Sequence, residues 1–159
     1  MNSLKIVNIK VSCLFDHELR PQVVKQNGKV FTVYKHSKML MNISGIKSAQ
    51  ELYKLQHRLQ VKLFRIDNIM FTRKCYLNYN MKKLYQRALM LYKRKYHICY
   101  DSELQSAKGI YIIPKEKPGC SLIIYRTGSC TIMGAKNLHS KQECEEMLSS
   151  LYDSTCLME

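Results

Sequence analysis

Two segments of the chain share one layout, and this internal repeat constrains the fold more than any other feature. The stretches MLMNISGIKSAQELYKL (Met39 to Leu55) and CTIMGAKNLHSKQECEEMLSSL (Cys130 to Leu151) both begin as strand-like runs. Each run ends in Gly-x-Lys, and a polar step then opens a helix with apolar residues every three or four positions. A repeat of this size predicts two related structural units, 1–60 and 61–159, which together form one compact domain.

The charge of the chain is large and unevenly distributed. Its net charge is +14, yet the last stretch, 139–159, contains one Lys and five acidic residues. The rest of the chain therefore attracts polyanions such as nucleic acid or anionic lipid, unless it is only a solvated basic surface. The acidic side chains of the last predicted helix, Glu143, Glu145 and Glu146, predict a second surface that binds a basic protein partner.

Other sequence features argue against several classes of protein. The seven cysteines include no Cys-x-x-Cys pair, and the five histidines lack metal-ligand spacing. No acid pair or nucleophile motif is recognisable, so we expect neither catalysis, nor a cofactor, nor a metal. No apolar run is long enough for a membrane span or a signal peptide. We therefore expect an intracellular protein that is not secreted and does not enter a membrane.

Periodicity predicts two copies of strand, helix, hairpin and helix. Pro21 is compatible with the first turn of a short helix that begins at Asp16 or Arg20 and ends near Gln26. Ser48 is a good N-cap, with Glu51 placed for a capping box. The first half is shorter and is expected to lack one strand. The other predicted elements are strands 4–14, 29–35, 39–44, 61–72 and 109–114, a hairpin within 121–134, and helices after Ser48, at 80–95 and at 139–152.

Side-chain alternation predicts what the uncovered face of the sheet carries. If Met41 and Ile43 are buried, Asn42 and Ser44 point the other way. The same reasoning exposes Asn8 in the first strand. The predicted open face is therefore a mixture of aliphatic, hydroxyl and amide side chains, with one Asn near the middle of each copy.

These residues resemble the TATA-binding protein family. The stretch LIIYRTGSCTIMGAKNLHSKQECEEML is similar to the family's second-repeat signature, a Leu-Ile-Phe-x-Ser-Gly-Lys hairpin that leads through Thr-Gly-Ala-Lys into a helix. The stretches IVNIKVSC and RIDNIMFT resemble its paired Asn-Ile-Val strands, and YDSELQSAKGIYI more weakly resembles its Tyr-Glu-Pro-Glu-Leu segment. The resemblance implies an α+β fold: a pseudo-twofold saddle of two strand-helix-hairpin-helix repeats, with a curved antiparallel sheet and helices on its convex face.

The resemblance also implies a DNA-binding site on the concave face, in the minor groove of A·T-rich DNA. Asn8 and Asn68 match the family's central asparagines, and Tyr125 stands at a wedge phenylalanine with Tyr34 as its nearest first-repeat counterpart. Ser44 matches a groove threonine. The full set of implied DNA-binding residues is Asn8, Lys10, Tyr34, Asn42, Ser44, Lys47, Asn68, Met70, Thr72, Ile123, Tyr125, Thr131, Met133 and Lys136.

Several positions depart from the family pattern. Met133 replaces a groove threonine, Lys10 and Met70 stand where the family has valines, and no aromatic occurs at 105–107, where the other second-repeat wedge falls. A divergent, virus-encoded homologue would fit these departures. Each assignment also has a structural alternative: the asparagines could cap strand irregularities, Tyr125 could be an ordinary cross-strand aromatic, and Gly-x-Lys could be turn chemistry alone.

The sequence therefore predicts a non-catalytic, TATA-binding-protein-like transcription factor. Its expected partners are double-stranded A·T-rich DNA and transcription-initiation factors or RNA polymerase subunits. We expect a monomer on DNA, located in the nucleus or at a viral transcription site. The alternative is a protein-interaction module of the same fold that has lost specific DNA binding. A third possibility, the substrate-binding domain of an enzyme, is less favoured because no catalytic domain is recognisable.

Overall fold

The computed structural model describes residues 3–100, 109–117, 119–152 and 154–157. This part of the chain forms nine strands and three helices. The helices are α1 (Ala49–Leu59), α2 (Met81–Tyr92) and α3 (Ser140–Leu151), and a short 3₁₀ turn covers Ser154–Cys156. The strands are β1 (Lys5–Leu14), β2 (Gln22–Gln26), β3 (Lys29–Val33), β4 (Leu40–Ile46), β5 (Leu63–Arg73), β6 (Tyr96–Cys99), β7 (Gly109–Pro114), β8 (Ser121–Tyr125) and β9 (Cys130–Ala135).

The chain forms two compact units. The first unit comprises 6–70 and 136–138, and the second comprises 1–5, 71–135 and 139–159. Hydrogen-bonded strands follow the order β2-β3-β4-β1-β5 in the first unit and β9-β8-β7-β6 in the second. Both hairpins of the opening repeat, β3–β4 and β8–β9, are antiparallel as predicted. The α+β class is confirmed, and most of β5 belongs to the first unit, where it lies beside β1.

The core of the second unit lies between its sheet and two helices. The buried side chains of β7, β8 and β9 stand opposite one another in two rows across the strands. Helices α2 and α3 bury one apolar stripe each, as their periodicity predicts. The rows are Ile110, Ile124 and Cys130, then Ile112, Leu122 and Ile132; the helices contribute Met81, Leu84, Ala88, Cys144, Met147, Leu148 and Leu151.

The core of the first unit lies on one face of β3 and β4. The residues predicted to be polar and exposed, Asn42 and Ser44, lie on the other face. Phe31 pairs with Ile43, and Val33 pairs with Met41. Helix α1 buries Leu52 and Leu55, and Phe31 and Leu55 line the same cleft. Ser48 accepts a hydrogen bond from the Glu51 amide at 3.1 Å, which confirms the predicted N-cap. Each unit therefore has a helix-covered face and an opposite face on which the polar side chains lie.

The glycine of each Gly-x-Lys motif has a precise backbone role. Gly45 and Gly134 have φ angles of +87° and +90°. At Gly45 the pairing shifts between Ile9 and Val11, so that β4 uses one more residue than β1 over the same interval. This geometry is that of a β-bulge with glycine in a left-handed conformation. A Cβ on Gly45 would stand 2.3 Å from the Gly28 carbonyl oxygen, and one on Gly134 would stand 3.0 Å from that of Gly119.

One predicted element is wrong. The short helix expected from Asp16 or Arg20 to Gln26 is absent from the described chain, and Gln22–Gln26 is instead the exposed strand β2. Asn27 and Gly28 have φ angles of +51° and +75°, typical of the two-residue hairpin turn that Asn-Gly favours. That turn pairs the β-branched pair Val23 and Val24 with β3. The first half therefore consists of four strands followed by one helix. The predicted order was strand, helix, hairpin and helix, so a strand replaces the first predicted helix.

Helix boundaries agree closely with the sequence analysis, but strand β6 was not expected. Within the described residues, the first half has four strands and the second half has five. The same residues include no helix long and apolar enough to cross a membrane.

Candidate nucleic-acid interface

The open face of the first unit carries a row of polar side chains. Thr32, Asn42 and Ser12 stand opposite one another across β3, β4 and β1. The Ser12 hydroxyl lies 2.8 Å from the Asn42 side-chain oxygen and also contacts the Asp67 carboxylate on β5. Next to this row, Ser44 pairs with Val30 on the same face. The predicted positions of Asn42 and Ser44 are therefore consistent with the strand register.

Asp67 introduces a negative charge that the sequence analysis did not assign to this face. Its carboxylate accepts a hydrogen bond from Arg65 Nε at 3.0 Å, which offsets part of the charge. Burial raises the pKa of the Cys13 thiol to about 12, and the Asp67 carboxylate adds to the shift. The Lys136 ammonium contacts the Asp67 backbone carbonyl. The open face of this unit is therefore polar and mixed in charge rather than uniformly basic.

Asn8 is held by the bulge in β4. Its side-chain oxygen accepts a hydrogen bond from the Gly45 backbone N–H at 2.7 Å. A backbone N–H can only donate, so the oxygen must be the amide atom that faces Gly45. The Asn8 NH₂ group then points its two donors away from Gly45. Asn8 thus caps a strand irregularity, and the same contact orients its amide.

The other predicted residues around Asn8 are at least partly accessible. Lys10 is exposed between the fully buried Ile9 and Val11. Asn68 and Met70 are half-buried on β5, and Thr72 is half-buried near its end. Lys47 is exposed directly after β4, where its backbone N–H donates to Glu51 at 3.2 Å.

The open face of the second unit is less polar. Tyr111, Ile123 and Thr131 form a row across β7, β8 and β9, and Met133 pairs with Ser121 beside it. All five are half-buried, whereas the next residues along each strand are in the core. Ile123, Thr131 and Met133 were predicted here. This face presents one aromatic side chain, two other apolar side chains and two small hydroxyl side chains.

Tyr125 and Tyr34 occupy corresponding turns. Tyr125 is the last residue of β8, opposite Gly109, and its N–H donates to the Ser129 carbonyl at 2.9 Å across the β8–β9 turn. Tyr34 follows β3, is 46% exposed and stacks on His36 with ring centroids 5.7 Å apart. Both aromatic side chains are thus placed at hairpin turns. The 105–107 segment, where the resemblance places the other wedge of the second repeat, lies outside the described residues.

The predicted protein-binding acids of α3 differ in their surroundings. Glu143 and Glu146 are exposed. Glu145 is half-buried, accepts a hydrogen bond from the Leu4 N–H at 3.3 Å and lies 3.8 Å from Lys141 Nζ. Glu145 therefore contributes to the second unit's own packing, and the other two carboxylates face solvent.

Sequence reasoning omitted several residues of the open faces. The alternation in KVFTVYK places Val30 and Thr32 on the open face, and the alternation in GIYIIP places Tyr111 there. The sequence pattern was therefore sufficient to predict these three positions. The Ser12–Asp67 contact depends on the pairing of β1 with β5, which no local pattern reveals. In the described part of the chain, no group of three or more His, Cys, Asp or Glu side chains is arranged to hold a metal ion.

Comparison with known proteins shows the fold. No protein-family model matches the sequence, and no curated protein sequence matches it. Among solved structures, the TBP of Methanococcus jannaschii superposes with a TM-score of 0.66, covering 94% of this chain and 97% of that chain. Sequence identity is 18%. The chain therefore has a TATA-binding-protein-like fold, as the resemblance implied.

Proposed function

We propose that this protein binds A·T-rich double-stranded DNA through the open faces of its two units and acts as a TATA-binding-protein-like transcription factor. The similarity of fold to a TBP, the short polar and aliphatic side chains on both open faces and the basic charge support this proposal. Exposed Lys10, Lys47 and Lys136 would add contacts to phosphate.

The observation that carries the proposal is the orientation of the Asn8 amide. In the minor groove, A·T pairs offer only the acceptors N3 and O2, whereas a G·C pair adds the donor N2 amino group. Because the Asn8 oxygen accepts a hydrogen bond from the Gly45 N–H, the NH₂ group of Asn8 can donate hydrogen bonds to acceptors in the groove. A donor held in this way fits an A·T pair, and the amino group of a G·C pair would repel it.

A binding comparison at fixed salt tests the proposal. Equal-length A·T-rich and G·C-rich duplexes are titrated with the wild-type protein and with Lys10→Glu, and the titration is repeated at several salt concentrations. We expect a preference for the A·T-rich duplex, a log–log salt slope of several units and weaker binding by Lys10→Glu. Lys82→Glu, an equal charge change at an exposed position of α2, is the matched control. A flat salt response, or equal losses in both variants, would contradict binding by the open face.

The alternative function is a protein-interaction module that has lost specific DNA binding. The Asp67 carboxylate on the open face of the first unit favours it, because a negative charge there opposes the negative potential of a minor groove. Asp67→Asn separates the two functions. If the open face binds DNA, removing this charge should raise DNA affinity. If it binds a basic protein, affinity for DNA should stay negligible in both forms.

Protein partners belong to the proposal as well. We propose that Glu143 and Glu146 on α3 bind a basic surface of a transcription-initiation factor or an RNA polymerase subunit. Glu143→Lys with Glu146→Lys should weaken capture of such a partner and leave DNA binding in place. Absence of catalysis, a monomer on DNA, a nuclear or viral transcription site and a divergent, virus-encoded origin remain predictions from the sequence.

A further inference from the structure

A cluster of cations forms where two turns of the second unit meet. The first turn follows α2 and contains Lys93, Arg94 and Lys95, all exposed. The second follows β7 and contains exposed Lys115 and Lys117. The Lys115 N–H donates to the Lys95 carbonyl at 3.0 Å, so the two turns are joined directly.

Within this cluster, the ammonium group of Lys115 has a structural role. The Lys115 ammonium donates to the Lys93 carbonyl at 2.8 Å, at the C-terminal end of α2, where cations are stabilised by unpaired carbonyl groups. No carboxylate within ion-pair distance of Arg94, Lys95 or Lys117 is found in the described part of the chain, although exposed Glu116 lies in the same turn. Like charges so close together repel one another, which favours binding of an acidic partner.

Apolar side chains lie beside the cations on the last turns of α2. Met90 is 69% exposed and Leu91 is 42% exposed. Residues three apart share a helix face, so Met90 neighbours Lys93, the C-cap of α2, and the exposed Arg94 follows directly in the turn. The core side of the helix is formed by Met81, Leu84 and Ala88, and neither exposed residue belongs to it. The end of α2 and the two joined turns therefore carry exposed apolar and basic side chains together, and these residues are called the patch: Met90, Leu91, Arg94, Lys95 and Lys117.

We propose that this patch binds an acidic segment of a protein partner that also carries apolar side chains. A phosphate backbone would need the cations but not the exposed Met90 and Leu91, whereas an acidic amphipathic peptide can use both. Joined turns present the charges on a fixed backbone, which lowers the cost of ordering them on binding. This inference does not depend on DNA binding by the open faces.

Fluorescence anisotropy with labelled synthetic peptides tests the patch on the full chain. One probe combines Asp and Glu with Leu and Phe, and a second has the same charge but Ser and Gly in place of the apolar residues. We expect the first probe to bind more tightly. Arg94→Glu with Lys95→Glu should lower its affinity about tenfold, because two attractions become repulsions. Met90→Gln should lower the affinity for the first probe and leave that for the second unchanged.

The matched control is Lys54→Glu with Arg58→Glu, one Lys and one Arg exposed on α1. Far-ultraviolet circular dichroism verifies that each variant is folded. No binding of the apolar probe, equal binding of both probes, or an equal loss in the control pair would overturn the proposal. If Arg94→Glu with Lys95→Glu instead weakens binding of an A·T-rich duplex and leaves the peptide unaffected, the patch is a contact to phosphate and the proposal is wrong.

Discussion

Asn8 shows how one side chain can serve the fold and a proposed contact together. Its oxygen satisfies the Gly45 N–H in a bulge, where the regular ladder is interrupted. A buried or half-buried backbone donor without a partner is costly, so this hydrogen bond stabilises the first unit. The same bond leaves only donors on the other side of the amide. Structural and DNA-reading roles for Asn8 are therefore compatible.

Two substitutions separate these roles. Asn8→Asp keeps an acceptor for Gly45 but removes the NH₂ donors, whereas Asn8→Ala removes both. We expect Asn8→Ala to lower the free energy of unfolding by about 1 kcal/mol and Asn8→Asp to lower it less. Both should reduce the preference for A·T-rich over G·C-rich duplex, by about 1–3 kcal/mol. Denaturant unfolding and duplex titration at one salt concentration measure the two effects. An intact preference in both variants would mean that Asn8 is structural only.

Tyr125 is tested by the shape of bound DNA. An aromatic side chain at a hairpin turn can enter between base steps, at the cost of unstacking them. Tyr125→Ala should therefore reduce the bend, measured by energy transfer across an end-labelled duplex, more than it reduces non-specific affinity. Tyr125→Phe keeps the ring and should keep the bend. If the bend is the same in all three proteins, Tyr125 is a cross-strand partner for Gly109 and not a wedge.

At the scale of elements, the glycines of the Gly-x-Lys motifs lie near the ends of β4 and β9, where Gly45 belongs to a bulge and Gly134 has a similar positive φ. Gly45 approaches the Gly28 carbonyl, and Gly134 approaches that of Gly119. Each glycine thus lies close to the connection between the two preceding strands. The repeat recognised in the sequence is therefore a repeat of backbone geometry, whatever additional role Lys47 and Lys136 have.

Gly45→Ala and Gly28→Ala test this geometry as a matched pair. Both glycines have positive φ, which costs an alanine about 1–2 kcal/mol. A Cβ on Gly28 meets nothing within 4 Å, whereas one on Gly45 collides with backbone. Gly45→Ala should thus destabilise the protein by about 3 kcal/mol or more in thermal or denaturant unfolding. Equal destabilisation by the two substitutions would contradict the close approach.

Sequence patterns predicted the elements whose signals are local. The three helices follow from apolar periodicity and from Ser48 and Asn80, whose side chains accept hydrogen bonds from the first turns of α1 and α2. Strand β2 was not predicted because Pro21 is compatible with the start of a helix. The segment forms a strand because it pairs with β3. Strand β6 has only four residues, too few for a clear alternation. The position of Asp67 depends on a neighbouring strand distant in sequence.

At the scale of the whole molecule, charge is divided between a basic majority and an acidic C-terminal stretch. If the protein binds DNA as proposed, long-range attraction by the basic residues would give affinity for DNA of any sequence, and this affinity would weaken as salt rises. Base preference must come from short-range contacts on the open faces. The central claim, that these contacts are made in the minor groove, is therefore independent of the strength of binding.

Replacement of A·T by inosine·cytosine pairs tests that claim most directly. Inosine lacks the N2 amino group of guanine, so this pair resembles A·T in the minor groove and G·C in the major groove. Dissociation constants for A·T-rich, inosine·cytosine and G·C duplexes of equal length are measured at one salt concentration. We predict that the inosine·cytosine duplex binds nearly as tightly as the A·T-rich duplex and that the G·C duplex binds much more weakly. Inosine·cytosine binding as weak as that of G·C, or equal binding of all three duplexes, would contradict minor-groove reading by this protein.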